Sequence, residues 1–537
     1  MMPETHSSQP QQQSSTQSQS TQSSAAAATS AAATSAAAAD LQTLARRGTL
    51  LAVSGQIGAQ LISLVVLGLL CRLVAPAQFG IYNTALLIVM LPRMFVTLGL
   101  SAASVQQPNL NDQQITAFFR LQMLLGVGAA GLSAVVGIAL GWIWGAGDVG
   151  LVTVILAGSS IVLALGAQHQ ALLERKLRVA TLLRLRLVAQ ATSGVVAIGL
   201  AWCGAGLWAL VVQQYLELSI ITLLSWSNEP WRPRRGVPAA RLPNLLTSSG
   251  QAALALLCFH LAQNLDKLLL FLLIGGREGG EAVVGMYNLA FNLMMRPVYF
   301  VTTPVTGVML PALSRAIEGQ HRHQRQYQSL ALNFFRFVAV ALFPCAAGLW
   351  LVAHDVTRVL AGSSWTAAGW LLAALAPTIL SQGLINICGS LLISANRYRE
   401  LALGASVVML VQLQGHVSGA ILGHLFLSTG EALPGLGVAQ GMAAAYSTVL
   451  LFVVAIPYLR FAFGSVELPW TELVRAVRPS LLATSTMTAL VWATRHLLLP
   501  ESCPALLRLL ASAVVGVAIY ALIARAEIRS ALQLTSR

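Results

Sequence analysis

The chain has 537 residues, of which 56% are hydrophobic and only 9% charged, and its mean hydropathy is +0.72. Soluble domains carry about 25% charged residues, so a water-soluble globular protein is excluded and the bilayer is the solvent for most of the chain. The net charge of +14 would suggest nucleic acid in a soluble protein; here the cations sit in short connections between apolar runs, and no nucleic-acid partner is expected.

Residues 1–43 are Gln/Ser/Thr-rich and then Ala-rich, with almost no charge. They lack a basic segment followed by an apolar one, so they do not read as a secretory signal; a disordered cytoplasmic tail is expected. Fourteen apolar runs follow, near 50–74, 78–102, 116–143, 149–171, 182–203, 206–226, 246–274, 282–311, 329–352, 366–393, 401–426, 433–456, 477–498 and 504–524. Their length of about 20 residues is that of a spanning helix, whereas a barrel strand has about 10 alternating residues. An all-α integral membrane protein of about 14 transmembrane helices is therefore predicted. Cys71, Cys203, Cys258, Cys345, Cys388 and Cys503 are scattered and form no CxxC pair, so neither disulfides, a metal site nor a cofactor is expected.

Basic residues in the connections orient the spans. Alternate connections, beginning with Arg46 and Arg47 and ending with Arg525, Arg529 and Arg537, hold 22 Lys and Arg. The opposite set holds 5, namely Arg72, Arg277, Arg358, Arg495 and Arg508. This bias predicts that both termini are cytoplasmic.

The spans also repeat. Ser54-Gly55-Gln56 in the first run is matched by Ser249-Gly250-Gln251 in the seventh, and Gly80-Ile81-Tyr82-Asn83 by Gly285-Met286-Tyr287-Asn288, at an offset of 205. The same offset relates Pro92 to Pro297, each with an arginine beside it, Arg93 and Arg296. Phe118-Phe119-Arg120 is matched by Phe334-Phe335-Arg336. Paired spans are six apart and run in the same direction, a parallel repeat about an axis along the membrane normal. Two six-helix lobes, 44–243 and 244–462, are expected around a central cleft, with two extra helices and a tail in 463–537. Such a cleft suits a transporter that opens alternately to each side.

Apart from the cations counted with the connections, five remain, and they lie inside spans: Arg93, Arg120, Lys267, Arg296 and Arg336. Each costs about 2.5–3.5 kcal/mol at a helix centre even on a lenient scale. Only Glu217 and Asp266 are acids within the runs as bounded, and the surplus of cations predicts a watery cavity that accepts an anion. Arg120 and Arg336 lie near span ends, where snorkelling to the interface is an alternative. Arg93 and Arg296 are deeper, and prolines beside them, with Pro304 further on, predict kinks or breaks. Adjacent helical residues do not face each other, so Asp266 and Lys267 are not expected to pair. Lys267 instead shares a stripe with His260 and Asn264, read as cavity-facing. Asp266 points to another helix, either as a structural contact or toward Arg296 or a coupling ion. His416, His424 and Gln412 form a further polar strip, and Gln213, Gln214 and Glu217 another. An interhelical hydrogen bond is the ordinary reading of such residues.

At this point the residues resemble a known family. LVAPAQFGIYNTA, LGLSAASVQ, ALLERKLRVATLLRL, GAGLWALVVQQ, Trp231-Arg232-Pro233, QNLDKLLLFLLIG, GMYNLAFNLMMRPV, VMLPALSRA and a Trp365-containing turn occur in the order seen in polysaccharide transporters of the Wzx or WzxC type. These belong to the multidrug/oligosaccharidyl-lipid/polysaccharide exporter superfamily, and the resemblance runs over about 44–460. It implies a flippase for polyprenyl-pyrophosphate-linked oligosaccharide in exopolysaccharide, capsule or O-antigen synthesis, resident in the bacterial inner membrane. Partners so implied are the lipid-linked substrate, membrane lipids, a polysaccharide polymerase and glycosyltransferases. Relatives often carry an acid just before LGLS, where this chain has Thr97. An acid-based coupling site there does not carry over.

The binding residues expected are Arg93, Lys267, Arg296, Asn264 and His260, with Asp266 and Glu217 in ion coupling or structure and Arg120 and Arg336 as secondary cations. Rival readings on the same fold are a cation-coupled multidrug exporter, whose cavity should be acid-rich, and a lipid II flippase. A membrane-bound glycosyltransferase or ligase is the rival from another class. The short outer loops, such as 275–281 and 428–434, and the lack of a P-loop weigh against an enzyme.

Overall fold

The computed structural model describes residues 55–97, 101, 104–105, 110–143, 145–234, 261, 263–317, 324–427, 433–464, 466–500, 502–525 and 527. Nearly all described residues belong to one compact unit, which begins at Ile57. The expectation for residues 1–43 lies outside the described residues, as does that for His260.

All regular structure among the described residues is helical. In chain order come α1 (Gly55–Leu73), α2 (Pro76–Thr97), α3 (Asp112–Ile143), α4 (Gly147–Ala157), α5 (Ser159–Arg175), α6 (Val179–Trp202) and α7 (Leu207–Asn228). Then follow α8 (263–274), α9 (Gly280–Ile317), α10 (Gln324–Ala361), α11 (Thr366–Leu375), α12 (Thr378–Ser394) and α13 (Tyr398–Leu427). The last are α14 (Leu436–Thr448), α15 (Ile456–Gly464), α16 (Trp470–Leu498) and α17 (Ala505–Ile523). Ten spans among the described residues are long and apolar enough to cross a membrane, or eleven if the bent pair Ser363–Leu375 and Thr378–Ser394 counts as one span. The chain is a multi-pass membrane protein. Of the remaining runs, 246–274 lies largely outside the described residues. The runs at 282–311 and 477–498 are helical but more polar: α9 carries Asn288, Asn292 and Arg296, and α16 carries Arg475, Arg478 and Arg495.

The break expected at Pro304 is not seen. The helices α2 and α9 continue through Pro92, Pro297 and Pro304 without a break. The bend among the described residues falls in the tenth run, where α11 and α12 meet at 54° across Ala376 and Pro377. Pro377 lacks the N–H that would carry the helix across the joint. Between α14 and α15 the turn widens into a π-helix, Val449–Ala455. Pro457 follows it, and its ring would clash with the carbonyl four residues back in a regular helix.

Helix α3 packs on α2, α4 and α5, and α7 on α5 and α6; α9 packs on α10, α11 and α12, α13 on α14, and α10 on α16 and α17. Across these groups α2 packs broadly on α9. The contact needs glycine: a side chain on Gly80 would strike the Glu281 carbonyl, and one on Gly285 the Pro76 carbonyl. These are the two glycines of the repeated Gly-x-Tyr-Asn motif. Nearby, Trp365 is fully buried, its indole N–H donates to the Cys71 carbonyl at 2.7 Å, and its ring meets Phe79 edge-on. Arg72 donates to the carbonyls of Val359 and Leu360 at the end of α10. A cation there satisfies carbonyls that have no partner within the helix.

Candidate functional site

Three polar groups lie along the spans. The first is on α2 and α7, which pack together. Tyr82 and Arg93 are eleven residues apart, three turns, so they share a face of α2. Gln214 and Glu217 likewise share a face of α7. The Tyr82 hydroxyl donates to Gln214 Oε1 at 3.4 Å. Glu217 and Tyr82 are close enough to Arg93 to act on its charge, and Arg93 Nη1 is buried with no hydrogen-bond partner. The expected cation and acid of the first half are thus neighbours without a direct ion pair.

The second group centres on Arg296 of α9. Its Nη1 donates to Gln60 Oε1 at 2.6 Å and its Nη2 to Ser63 Oγ at 2.9 Å, both on α1. Neither partner was among the residues expected from sequence, although a Gln and a Ser at helical spacing within an apolar run form a visible polar stripe.

The third group lies on α8, α9, α13 and α14. Asp266 is fully buried and accepts a hydrogen bond from the Tyr287 hydroxyl at 2.9 Å. Lys267, only 8% exposed, stands 3.4 Å from Asp266 Oδ1 and donates to the Gln263 carbonyl at 2.8 Å. It also lies 3.4 Å from Asn264 Oδ1 and 3.4 Å from the centre of the Phe291 ring. Two expectations are corrected. Lys267 and Asp266 do pair, because the four-carbon lysine stem folds back along the helix, a freedom that directions at Cβ do not capture. And Lys267 faces no open space: Phe291, Asn264 and Asp266 cover it. Asp266 reaches Tyr287, and Arg296 is engaged elsewhere. His416 is fully buried, stacks on Tyr446 at 5.3 Å and 12°, and neither ring nitrogen has a hydrogen-bond partner.

Arg120 is exposed and donates to the Arg234 carbonyl at 3.0 Å, and Arg336 lies 3.9 Å from Glu527. These two cations sit apart from the three groups. A cavity of about 550 Å³ is also remote from them, lying between α10, Pro377 and α16, with Phe343, Trp350, Leu481, Thr488 and Trp492 among its lining.

Two ion-pair clusters went unread in the sequence. Asp355 on α10, 1% exposed, accepts from Arg495 on α16 at 2.7 Å and from Arg508 on α17 at 2.6 Å. One buried acid thus ties both C-terminal helices to α10. At the end of α7, Glu229 is 1% exposed and holds Lys176 at 2.6 Å. Beside it His169 stacks on Trp226 at 4.2 Å and meets the Trp231 carbonyl at 3.2 Å.

Comparison with known proteins places the fold and the lineage. The first teichuronic acid biosynthesis relative, TuaB of Bacillus subtilis (strain 168), is 24% identical over 313 residues, covering 57% of this chain and 62% of that protein. The succinoglycan biosynthesis transport protein ExoT of Rhizobium meliloti (strain 1021) is 25% identical over 350 residues, covering 64% and 66%. The match therefore spans less than two thirds of the length of either relative. Among solved structures, that of the lipid II flippase MurJ in an inward closed conformation superposes with a TM-score of 0.66 at 14% identity, covering 89% of this chain and 100% of that one. At that identity the likeness concerns the fold. A family model described as polysaccharide biosynthesis protein matches residues 69–369, more than half of the chain. The chain belongs to the polysaccharide biosynthesis protein family.

Proposed function

We propose that the chain is a flippase that moves polyprenyl-pyrophosphate-linked oligosaccharide repeat units across the bacterial inner membrane by alternating access, for exopolysaccharide, capsule or O-antigen synthesis. The observation that carries this reading is Arg296, a guanidinium within a run read as membrane-spanning whose hydrogen bonds go to neutral oxygens of Gln60 and Ser63. Among the described residues no carboxylate forms an ion pair with it. A cation kept at such depth without a counter-charge is a functional expense, and a pyrophosphate is the ligand that matches a guanidinium fork. Arg93 gives a second, repeat-related cation.

In this reading the two six-helix halves, 44–243 and 244–462, rock about the α2–α9 contact, and the remaining helices are held by Asp355. The lipid stays in the bilayer while the pyrophosphate and sugars pass between the halves. Both termini face the cytoplasm, and a polymerase and glycosyltransferases are the partners before and after transport. Arg93 and Arg296 bind the anion, and Lys267 serves the interior of the second half. The family and the names of the relatives support a role in polysaccharide biosynthesis. They do not favour catalysis by this chain.

The test is export in a strain lacking the endogenous gene. Arg296→Ala should abolish surface polysaccharide while protein accumulates normally. Full export by that variant would reject the reading.

A further inference from the structure

Arg296 crosses from α9 to α1, a helix without an acidic residue. Gln60 and Ser63 are three residues apart, on one face of α1. They present two oxygens to the two terminal nitrogens of one guanidinium, at 2.6 and 2.9 Å. A phosphate engages arginine through the same side-by-side pair of oxygens, with negative charge in addition. The amide and the hydroxyl therefore fill the shape of the fork and leave its charge uncompensated.

We propose that Gln60 and Ser63 are positioning residues that occupy the Arg296 fork in place of phosphate oxygens, so that an entering pyrophosphate takes the fork from α1 and thereby parts α1 from α9. This rests on the flippase reading above and goes beyond it by naming what the anion displaces. Arg296 then does two jobs with one set of donors. Empty, it ties a helix of the first half to a helix of the second. Loaded, it holds the head group, and the tie is gone. Binding and release of the tie are two sides of one exchange, in which two hydrogen bonds from the guanidinium to neutral oxygens give way to two in which the acceptor is charged as well. Linkage then fixes a sign. A protein whose fork is engaged elsewhere binds the anion more weakly by the fraction of time the fork is free. Removing the placeholders must tighten anion binding.

The experiment uses the purified full-length chain titrated with inorganic pyrophosphate. Gln60→Ala and Ser63→Ala should each lower Kd by about threefold, and the double variant by about tenfold, as the fork is freed. Gln60→Glu, which fills the fork with a fixed carboxylate, should raise Kd about tenfold or more. In an Arg296→Ala background none of these changes should appear. A merely structural role for Gln60 and Ser63 would leave binding unchanged or weaken it. Unchanged or weaker binding in the alanine variants, with wild-type binding still dependent on Arg296, overturns this inference and spares the flippase reading. Wild-type protein that ignores pyrophosphate, or binds it equally well after Arg296→Ala, overturns both. The single variants decide the matter should the double one fail to accumulate.

Discussion

Tyr82 and Tyr287 occupy the same place in a repeated Gly-x-Tyr-Asn motif and live in different surroundings. Tyr82 is half-buried, and its hydroxyl makes a long 3.4 Å contact with the amide of Gln214. Tyr287 is fully buried and donates at 2.9 Å to a fully buried carboxylate, Asp266. The acid of the first group, Glu217, is half-buried and has Arg93 nearby without a direct pair. The acid of the third is paired with Lys267 under the Phe291 ring. The repeat has kept residue types and let their surroundings diverge. The first group leaves Arg93 and Glu217 loosely held, and the third closes Asp266 and Lys267 into a buried, self-neutralised pair. Arg296 lies outside this closure and reaches over to α1.

The largest effect should come from breaking the buried pair. Asp266→Asn strands a buried ammonium and should cost about 3–5 kcal/mol. Pairing it with Lys267→Met removes both charges and should restore most of that loss, since an apolar replacement of a buried ion pair is often neutral. Unfolding of the full chain in mixed micelles measures both, and equal losses in the single and double variants would show that the two side chains do not act as a pair. Tyr287→Phe comes next. It leaves one oxygen of a buried carboxylate without its donor and should cost about 1–3 kcal/mol by the same measurement.

The membrane class and the positions of helices such as α3 and α13 were legible in the sequence, because both rest on local composition; the repeated motif was visible, but not that its glycines meet across α2 and α9. The partners of the charges were less so. Arg296 meets residues 233 and 236 positions away, and Asp355 meets arginines 140 and 153 positions away. Nothing local marks such pairs, and Arg495 and Arg508 were counted among the connection cations. Prolines misled in a different way. Pro304 predicted a break, but α9 continues through it. The rule for adjacent residues failed at Lys267 because it describes where Cβ points, and a long side chain can turn back.

The first-half cluster should respond weakly to the same kinds of change. Glu217→Gln removes a half-buried carboxylate that has no ion-pair partner, and should alter stability by less than about 1 kcal/mol. Tyr82→Phe is the direct counterpart of Tyr287→Phe and should cost about 0.5 kcal/mol, the low end for a hydrogen bond whose partners keep other options. Gln214 is half-buried, so its amide oxygen can find water once the hydroxyl is gone. Asp266 has no such recourse. The ratio between the two tyrosine variants is therefore the sharpest reading of the asymmetry, because the motif, the chemical change and the measurement are all the same. A Tyr82→Phe loss as large as that of Tyr287→Phe would mean that the first half is as dry as the second, and that the repeat never diverged in this respect.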